Sequence, residues 1–394
     1  MLRANVALDP SRTGREAAIL ETNLRKLIVG QDEAISEIVR VYQMYLTGMS
    51  APGRPIGNFL FLGPTGSGKT RTVEATAESL VKNPRAVIKI DCAEFQHGHE
   101  IAKLIGSPPG YLGHRETHAL LSQEVLNQYH TETIKVSFVL FDEIEKASDT
   151  LWNLLLGILD KASLTLGDNR RVDFSRALIF MTSNLGAAEM SAVLRPKLGF
   201  AASENARRSP GAPDDKLQSK VSRCGVEAAR RKFTPEFINR LDKIVTFNPL
   251  GNEDLKKILD IELNGVQQRI LNSPALRAFA FTTTDAAKRF LLLEGTDTRY
   301  GARHLKRAID RLVVQPLSNL IATNQVRTGD WISVDHDRSG NCMAFSKEAE
   351  GLPAHKMAEL LERSSAGSEL DFAVSNCVTF PAARTQTAGL LKRA

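Results

Sequence analysis

The amino-acid sequence predicts an α/β fold in which a parallel five-stranded sheet is followed by a smaller, mainly helical domain. Short apolar runs, each long enough for one buried strand, alternate with helical stretches. That order is typical of a parallel sheet with helices on both faces. Past Pro249 the strand signals almost stop and helical periodicity takes over. The predicted strands are residues 56–62, 86–90, 136–141, 177–181 and 243–247.

The changes in pattern also predict how the 394 residues are divided. In the second domain Leu305, Ile309 and Leu312 have helical spacing, and one late strand candidate lies at residues 331–334. A polar stretch containing Pro and Gly predicts a mobile surface loop over residues 201–215. We expect an N-terminal arm over residues 1–20, a large domain over 21–250, a small domain over 251–343 and a disordered tail over 344–394.

The composition is that of a globular protein, with 42% hydrophobic, 24% charged and 6% aromatic residues. No apolar run approaches the length of about 18 residues that a membrane span needs. The N-terminus has no continuous apolar core, so we expect no secretory signal. The four cysteines lie far apart, which favours reduced thiols in a cytoplasmic protein. The net charge of +6 is compatible with a nucleic-acid partner or with a solvated basic surface.

The most specific motif lies directly after the first predicted strand. The sequence GPTGSGKT fits G-x-x-x-x-G-K-[ST] at every fixed position and precedes a helical stretch. Glycines let backbone N–H groups approach phosphate oxygens, the lysine reaches the β- and γ-phosphates, and the last hydroxyl binds Mg²⁺. This predicts a nucleotide site made of Gly63, Pro64, Thr65, Gly66, Ser67, Gly68, Lys69 and Thr70.

A pair of acidic residues ends the third predicted strand. Asp142 follows the apolar run at 136–141, and Glu143 comes next. Behind a phosphate-binding loop, a carboxylate in the position of Asp142 is a candidate Mg²⁺ ligand. Glu143 is then a candidate general base for the attacking water.

With these motifs the chain resembles the AAA+ ATPases of the Clp unfoldase group, most closely the second ATPase module of ClpA, ClpB and ClpC. The resemblance covers residues 21–340. It implies a P-loop AAA+ large domain, a small helical lid domain, and ATP with Mg²⁺ as cofactors. The motif LIVGQD resembles the segment that packs over adenine, which implies that Ile28 and Val29 contact the nucleotide.

Three further motifs resemble catalytic segments of that group. The sequence TSN at 182–184 resembles sensor 1, whose asparagine, here Asn184, polarises the attacking water. FTPEFINRLD resembles the arginine-finger segment, and Arg240 would serve the nucleotide of the neighbouring subunit. YGAR resembles sensor 2, which assigns phosphate contact to Arg303. A finger that acts on a neighbour implies a ring, by resemblance a homo-hexamer.

Two loop motifs bear on partners. PPGYLG resembles the pore loop that grips unfolded or tagged polypeptide, with Tyr111 and Leu112 facing the channel. Residues 162–171 resemble the second pore loop and carry two arginines. The tripeptide Leu198, Gly199 and Phe200 resembles the loop that docks onto a ClpP-type peptidase, and adaptor proteins are further expected partners.

The resulting hypothesis is an ATP-dependent protein unfoldase, acting as the ATP-binding subunit of a Clp-type protease. One alternative is a remodelling or disaggregating chaperone without a peptidase. A second is an AAA+ nucleic-acid motor or loader, although no known nucleic-acid-binding signature occurs. A third is a nucleotide-dependent assembly factor that does little threading. The histidines near residue 100 lack further ligands at metal spacing, so we expect no metal site there.

Overall fold

The computed structural model describes residues 9–107, 119–194, 215–272, 278–296, 301–337 and 341–365. The chain forms two compact units. The first comprises Met1–Asp254 with Thr298–Ala302, and the second comprises Leu255–Asp297 with Arg303–Ala394. No helix in the described ranges has the length and apolar character required to cross a membrane.

The first unit contains a five-stranded parallel sheet. Its strands run in the order β2-β3-β6-β1-β7, and every neighbouring pair is parallel. The α/β prediction and all five predicted strand positions are therefore confirmed. The strands of this unit are β1 Gly57–Leu62, β2 Val87–Asp91, β3 Ser137–Asp142, β4 Ser163–Thr165, β5 Arg171–Asp173, β6 Ala177–Ser183 and β7 Lys243–Thr246, of which β4 and β5 form a separate antiparallel hairpin.

The central strands are mostly apolar because both faces of the sheet are covered. All six residues of β1 are buried. Phe59 and Phe61 pack into one core, while Leu60 and Leu62 pack into the other. This is the two-sided burial expected of a parallel sheet. The helices of this unit are α1 Arg15–Leu27, α2 Asp32–Leu46, α3 Lys69–Val81, α4 Ala102–Ile105, α5 Gln123–Asn127, α6 Asp149–Lys161, α7 Ala187–Leu194, α8 Asp215–Lys232 and α9 Pro235–Ile238.

The expected N-terminal arm is shorter than residues 1–20. Helix α1 begins at Arg15, and Ala17, Leu20 and Leu24 are buried against the core beneath α2 and α3. These three residues share one helix face, so their burial orders the segment before Glu21. The expected mobile loop at 201–215 lies outside the described residues except for Asp215, which begins α8.

The second unit combines helices with a small sheet. Strand β9 contains the predicted residues 331–334, and it pairs in parallel with β8 and antiparallel with β10. The unit contains α10 Asn252–Asn272 (whose first turn belongs to the first unit), β8 Ala280–Thr283, α11 Asp285–Gly295, α12 Ala302–Ile309, the π-helical turn Asp310–Val314, α13 Gln315–Ala322, β9 Trp331–Asp337, β10 Cys342–Ala349 and α14 Ala354–Ser365.

Disorder was expected from residue 344, but ordered structure continues to residue 365. Strand β10 gains its order from backbone pairing with β9, which needs no apolar run in the sequence. Helix α14 is held by Met357, which is buried against Ala280 and Trp331. Residues 366–394 lie outside the described part of the chain.

Candidate functional site

The phosphate-binding motif forms the connection between β1 and α3. Gly63 lies so close to the strand exit of β7 that a Cβ at this position would come within 2.6 Å of the Phe247 carbonyl oxygen. Gly68 directly precedes α3 with φ of +99°, a conformation that favours glycine. Both glycines are thus required by the backbone path. The loop has the narrow form that brings N–H groups close to an anion at a helix N-terminus.

The lysine of the motif is folded back into its own loop. Lys69 is buried, and its Nζ donates hydrogen bonds to the carbonyl oxygens of Gly63 at 2.6 Å and Pro64 at 3.0 Å. A third bond, of 2.9 Å, goes to Oδ1 of Asn184. Thr70 follows in the first turn of α3 and is half-buried. A positive charge is therefore fixed where phosphate oxygens would lie.

The two acidic residues stand at the end of β3, next to β6. The Thr182 hydroxyl donates to Oδ1 of Asp142, and the Glu143 backbone N–H donates to the Thr182 oxygen at 3.2 Å. Glu143 itself has φ of +55°, in the left-handed region. This uncommon conformation for a side-chain-bearing residue turns the chain sharply after the strand. Thr182 was part of the TSN motif, but its role as a link between the two acids was not predicted.

Asn184 joins the lysine to the candidate base. Its Oδ1 accepts the bond from Lys69, and its Nδ2 donates to Oε1 of Glu143 at 3.4 Å. The other Glu143 oxygen, Oε2, is ion-paired with Lys146. The structure thus brings Lys69, Asn184 and Glu143 into one hydrogen-bonded series at the carboxyl edge of the sheet.

Negative charge is concentrated at this edge, and it affects the pKa of the nearby Cys92 thiol. The pKa of the buried Cys92 thiol is raised far above its ordinary value, first by burial and then by the carboxylates of Asp91, Asp142, Glu145 and Glu143. Asp91 and Asp142 are register partners at the ends of β2 and β3. Such an edge favours the binding of a cation together with an anionic ligand.

The segment expected near adenine contains a polar clamp that the prediction did not include. Ile28 is buried in the core and Val29 is half-buried. The buried Gln31 side chain donates to the carbonyl oxygens of Ser67 at 3.1 Å and Asn248 at 2.9 Å, and it accepts from the Asn248 N–H at 3.1 Å. Gln31 therefore ties the phosphate loop to the chain that leaves β7.

Arg240 is placed away from the series just described. Its guanidinium pairs with Glu236 at 3.0 Å and with Asp160 at 3.9 Å. Its carbonyl oxygen accepts a bond of 3.1 Å from the fully buried Asn58 side chain. Asn58 was not predicted, although a lone amide inside an otherwise apolar strand is a signal in the sequence.

The remaining predicted residues fall in the second unit, in the segment around β4 and β5, and outside the described part of the chain. Arg303 is an exposed residue of α12 in the second unit. In the second pore-loop candidate, residues 162–171, which contains β4 and the first residue of β5, Arg170 pairs with Asp168 at 2.7 Å and Glu124 at 3.2 Å. Outside the described residues lie Tyr111, Leu112, Leu198, Gly199 and Phe200.

The donor set fits a magnesium ion that shares its coordination with phosphate. In the described ranges, no group of three His, Cys, Asp or Glu side chains could hold a metal by itself. Mg²⁺ commonly takes one or two protein ligands and completes its shell with phosphate and water oxygens. Asp142 and Thr70 match that requirement. His97 and His99 stack at 5.8 Å between ring centroids, without such a group around them.

Two protein-family models match consecutive parts of the chain. Residues 54–244 match the AAA domain (Cdc48 subfamily), and residues 250–334 match the C-terminal D2-small domain of ClpB protein. Together they cover the loop at 63–70, Asp142, Glu143, Asn184, Arg240 and Arg303.

Curated relatives and a solved structure agree with these models. The chain is 36% identical over 337 residues to the chloroplastic chaperone protein ClpC3 of Oryza sativa subsp. japonica, covering 85% of this chain and 34% of the relative. It is 35% identical over 328 residues to chaperone protein ClpB of Rhodopirellula baltica, covering 83% and 34%. It is 36% identical over 318 residues to the ATP-dependent Clp protease ATP-binding subunit ClpC of Staphylococcus saprophyticus, covering 81% and 36%.

The chain thus spans about a third of the length of these relatives. A closed-state cryo-EM structure of Hsp104 with ATPγS and FITC casein superposes with a TM-score of 0.65 and 30% identity over 84% of this chain and 52% of that one. The family models, the relatives and the fold all identify the same group, and the chain belongs to the Clp group of nucleotide-binding AAA ATPases.

Proposed function

We propose that this chain is an ATP-driven protein unfoldase that pulls polypeptide through a ring of identical subunits. The observation that carries the proposal is the hydrogen-bonded series Lys69, Asn184 and Glu143 at the carboxyl edge of the sheet. It places a cation suited to phosphate beside a candidate base for water, and ATP hydrolysis uses both kinds of group. The polypeptide substrate is supported by the relatives, which are named as chaperones or protease subunits.

In the proposed reaction each side chain has one task. Bound ATP is the phosphoryl donor, and Thr70 and Asp142 would hold a Mg²⁺ ion that would neutralise charge on the phosphate oxygens. Lys69 offsets the negative charge of the phosphate group that the loop binds. Glu143 accepts a proton from the attacking water, and Asn184 orients both that water and the Glu143 carboxylate. Thr182 fixes Asp142 beside Glu143 through its hydroxyl.

The proposal also includes a ring of subunits in which Arg240 is the arginine finger. The partners of Arg240 are Glu236 and Asp160, on α9 and α6, rather than the phosphate loop of the same chain. This supports action on the nucleotide of a neighbouring subunit, with a homo-hexamer as the proposed assembly. Arg303 would contact phosphate from the small domain, which we place after residue 250 and which includes β10 and α14.

The gripping and docking residues remain proposals from the sequence. Tyr111 and Leu112 would contact polypeptide in the pore, and Leu198, Gly199 and Phe200 would contact a ClpP-type peptidase. Adaptor proteins would select substrates. A stand-alone remodelling chaperone is the second candidate, because one of the matched relatives is named chaperone protein ClpB. We also retain the expected cytoplasmic location.

The test is unfolding of a degradation-tagged fluorescent protein, measured as the loss of its fluorescence in the presence of ATP or of a non-hydrolysable analogue. We expect the fluorescence to be lost with ATP and to persist with the analogue. Tyr111→Ala should abolish it while ATP turnover continues, whereas Tyr111→Phe, which keeps the aromatic ring, should retain it.

The same assay separates the competing functions. Adding a ClpP-type peptidase should convert unfolding into degradation if the docking proposal is correct, and unfolding without degradation would favour the stand-alone chaperone. Turnover stimulated by DNA, with no unfolding, would favour the nucleic-acid motor. ATP turnover with neither effect would favour an assembly factor.

A further inference from the structure

Trp152 lies in the first turn of α6 and contacts the turn that begins at Glu143. Its indole Nε1–H donates a hydrogen bond of 3.1 Å to the Ala147 carbonyl oxygen. Ala147 closes that turn, because its N–H donates to the Ile144 carbonyl at 3.1 Å, and the Lys146 N–H donates to the Glu143 carbonyl at 2.9 Å. The indole is therefore bonded to the end of the backbone turn that positions Glu143.

The other side of the same ring contacts the segment that leads to Arg240. Trp152 packs edge-to-face on Phe237, with centroids 4.7 Å apart and an interplanar angle of 89°, and it lies 5.2 Å from the Phe233 ring. Both phenylalanines are buried. The Arg240 N–H donates to the Phe237 carbonyl at 3.0 Å, so the residue that Trp152 packs on is bonded directly to the Arg240 backbone.

The far end of α6 is attached to the same segment. Asp160 approaches the Arg240 guanidinium at 3.9 Å. The Asn58 side chain donates both to the Leu159 carbonyl at 3.2 Å and to the Arg240 carbonyl at 3.1 Å. Helix α6 is thus fixed to the Arg240 segment near both ends, and Trp152 is where it is also bonded to the Glu143 turn.

We propose that Trp152 is a positioning residue that couples the Glu143 turn to the Arg240 segment. When nucleotide binding moves the Glu143 turn, Trp152 transmits that movement to Arg240. This rests on the proposed roles of Glu143 and Arg240. A phenylalanine would fill the same aromatic cluster but has no N–H for Ala147. The indole N–H is therefore the part of the side chain that makes the coupling.

Trp152→Phe tests this with Trp331→Phe as the matched control. The chain has two tryptophans, and Trp331 lies in β9 of the second unit. We expect ATPase kcat to fall about 3- to 10-fold in Trp152→Phe, which is the factor that corresponds to the free energy of one hydrogen bond lost from the transition state. KM should stay within about twofold, because the phosphate-loop contacts are unchanged. Trp331→Phe should match the wild type in both constants.

A second measurement does not alter Trp152 at all. In Trp331→Phe the intrinsic fluorescence comes from Trp152, and saturation with ATPγS should shift its emission relative to the nucleotide-free protein. Binding is monitored separately with a fluorescent nucleotide. Trp152→Phe, which reports only Trp331, serves as the comparison for effects elsewhere in the chain.

The outcomes separate the coupling from the function it rests on. Normal binding and turnover with unchanged Trp152 emission, or a kcat of Trp152→Phe equal to that of the wild type, would overturn the coupling and leave the ATPase proposal intact. Failure of the wild type to bind nucleotide would overturn both. An emission shift together with the reduced kcat supports the coupling.

Discussion

Asn184 lies between two groups of opposite charge, and its side-chain amide forms a hydrogen bond with each of them. The carbonyl oxygen accepts from the Lys69 ammonium, while the amide nitrogen donates to the Glu143 carboxylate. An aspartate in this position would have no donor for Glu143 and would add a like charge beside it. The geometry therefore explains why an asparagine, rather than another short polar residue, follows strand β6.

The role of Glu143 as a base gives a prediction at this scale. Glu143→Gln keeps the shape of the side chain and its contact with Asn184 but cannot accept a proton. We expect ATP hydrolysis to fall by about 10²- to 10⁴-fold while nucleotide affinity is retained. Turnover and fluorescent-nucleotide binding measure the two quantities. Glu132→Gln, at an exposed position, is the control, and near-normal turnover in Glu143→Gln would remove it as the base.

At the scale of elements, the sequence predicts strands that are continuous apolar runs. It misses a strand and side-chain contacts that depend on pairing with distant segments of the chain. The three central strands, β1, β3 and β6, are predictable because burial on both faces requires apolar runs. Strand β10 alternates exposed and half-buried residues at a sheet edge, and its order comes from β9. Gln31, Asn58 and Trp152 act on chain segments distant in sequence, so only the folded chain reveals their contacts.

One interaction in the second unit joins elements in this way. Asp330 is buried just before β9, and its Oδ2 accepts from Lys347 Nζ of β10 at 2.8 Å and from the Arg327 N–H at 2.7 Å. Burial opposes its ionisation, but the bonds from Lys347 and Arg327 outweigh that effect and lower the pKa of Asp330. The ionised carboxylate therefore stabilises the junction of β9 and β10.

The prediction for this junction is a pH-dependent loss of stability in Asp330→Asn. Removing the charge-assisted bonds should lower the free energy of unfolding by about 1.5–3 kcal/mol at pH 7. Because the folded pKa lies below the unfolded one, the difference from the wild type should be complete above about pH 4 and shrink as the pH falls further.

Denaturant unfolding followed by Trp331 fluorescence, in a Trp152→Phe background, measures this quantity within the second unit. Asp310→Asn, at an exposed position in the same unit, should show no such difference. A difference for Asp330→Asn that is equal at pH 7 and pH 3 would contradict the assigned ionic role.

At the scale of the whole molecule, cationic residues of two of the predicted motifs have identified contacts. Arg170 is paired with Asp168 and Glu124 on the surface, so it adds little net positive charge to its hairpin. Lys69 donates hydrogen bonds to two carbonyl oxygens of the phosphate loop and to Asn184. The net charge of +6 does not by itself favour a nucleic-acid partner over a solvated basic surface.

The proposed ring makes a prediction that no single subunit can test. Arg240→Ala should reduce turnover by about 10³- to 10⁵-fold if the guanidinium stabilises the transferring phosphoryl group. Glu143→Gln subunits are inactive for a different reason, because they keep Arg240 but lack the base. If the finger acts on a neighbour, an interface that joins Glu143 of an Arg240→Ala subunit with Arg240 of a Glu143→Gln subunit contains a complete site.

Mixing the two inactive variants should therefore restore ATP turnover. With random assembly at equal amounts, about a quarter of the interfaces carry both intact groups, because each must be supplied by the correct subunit. Turnover measured across mixing ratios should rise from near zero in either pure variant to a maximum at equal amounts. If Arg240 served the nucleotide of its own chain, no ratio would give activity, since every subunit would lack one of the two groups.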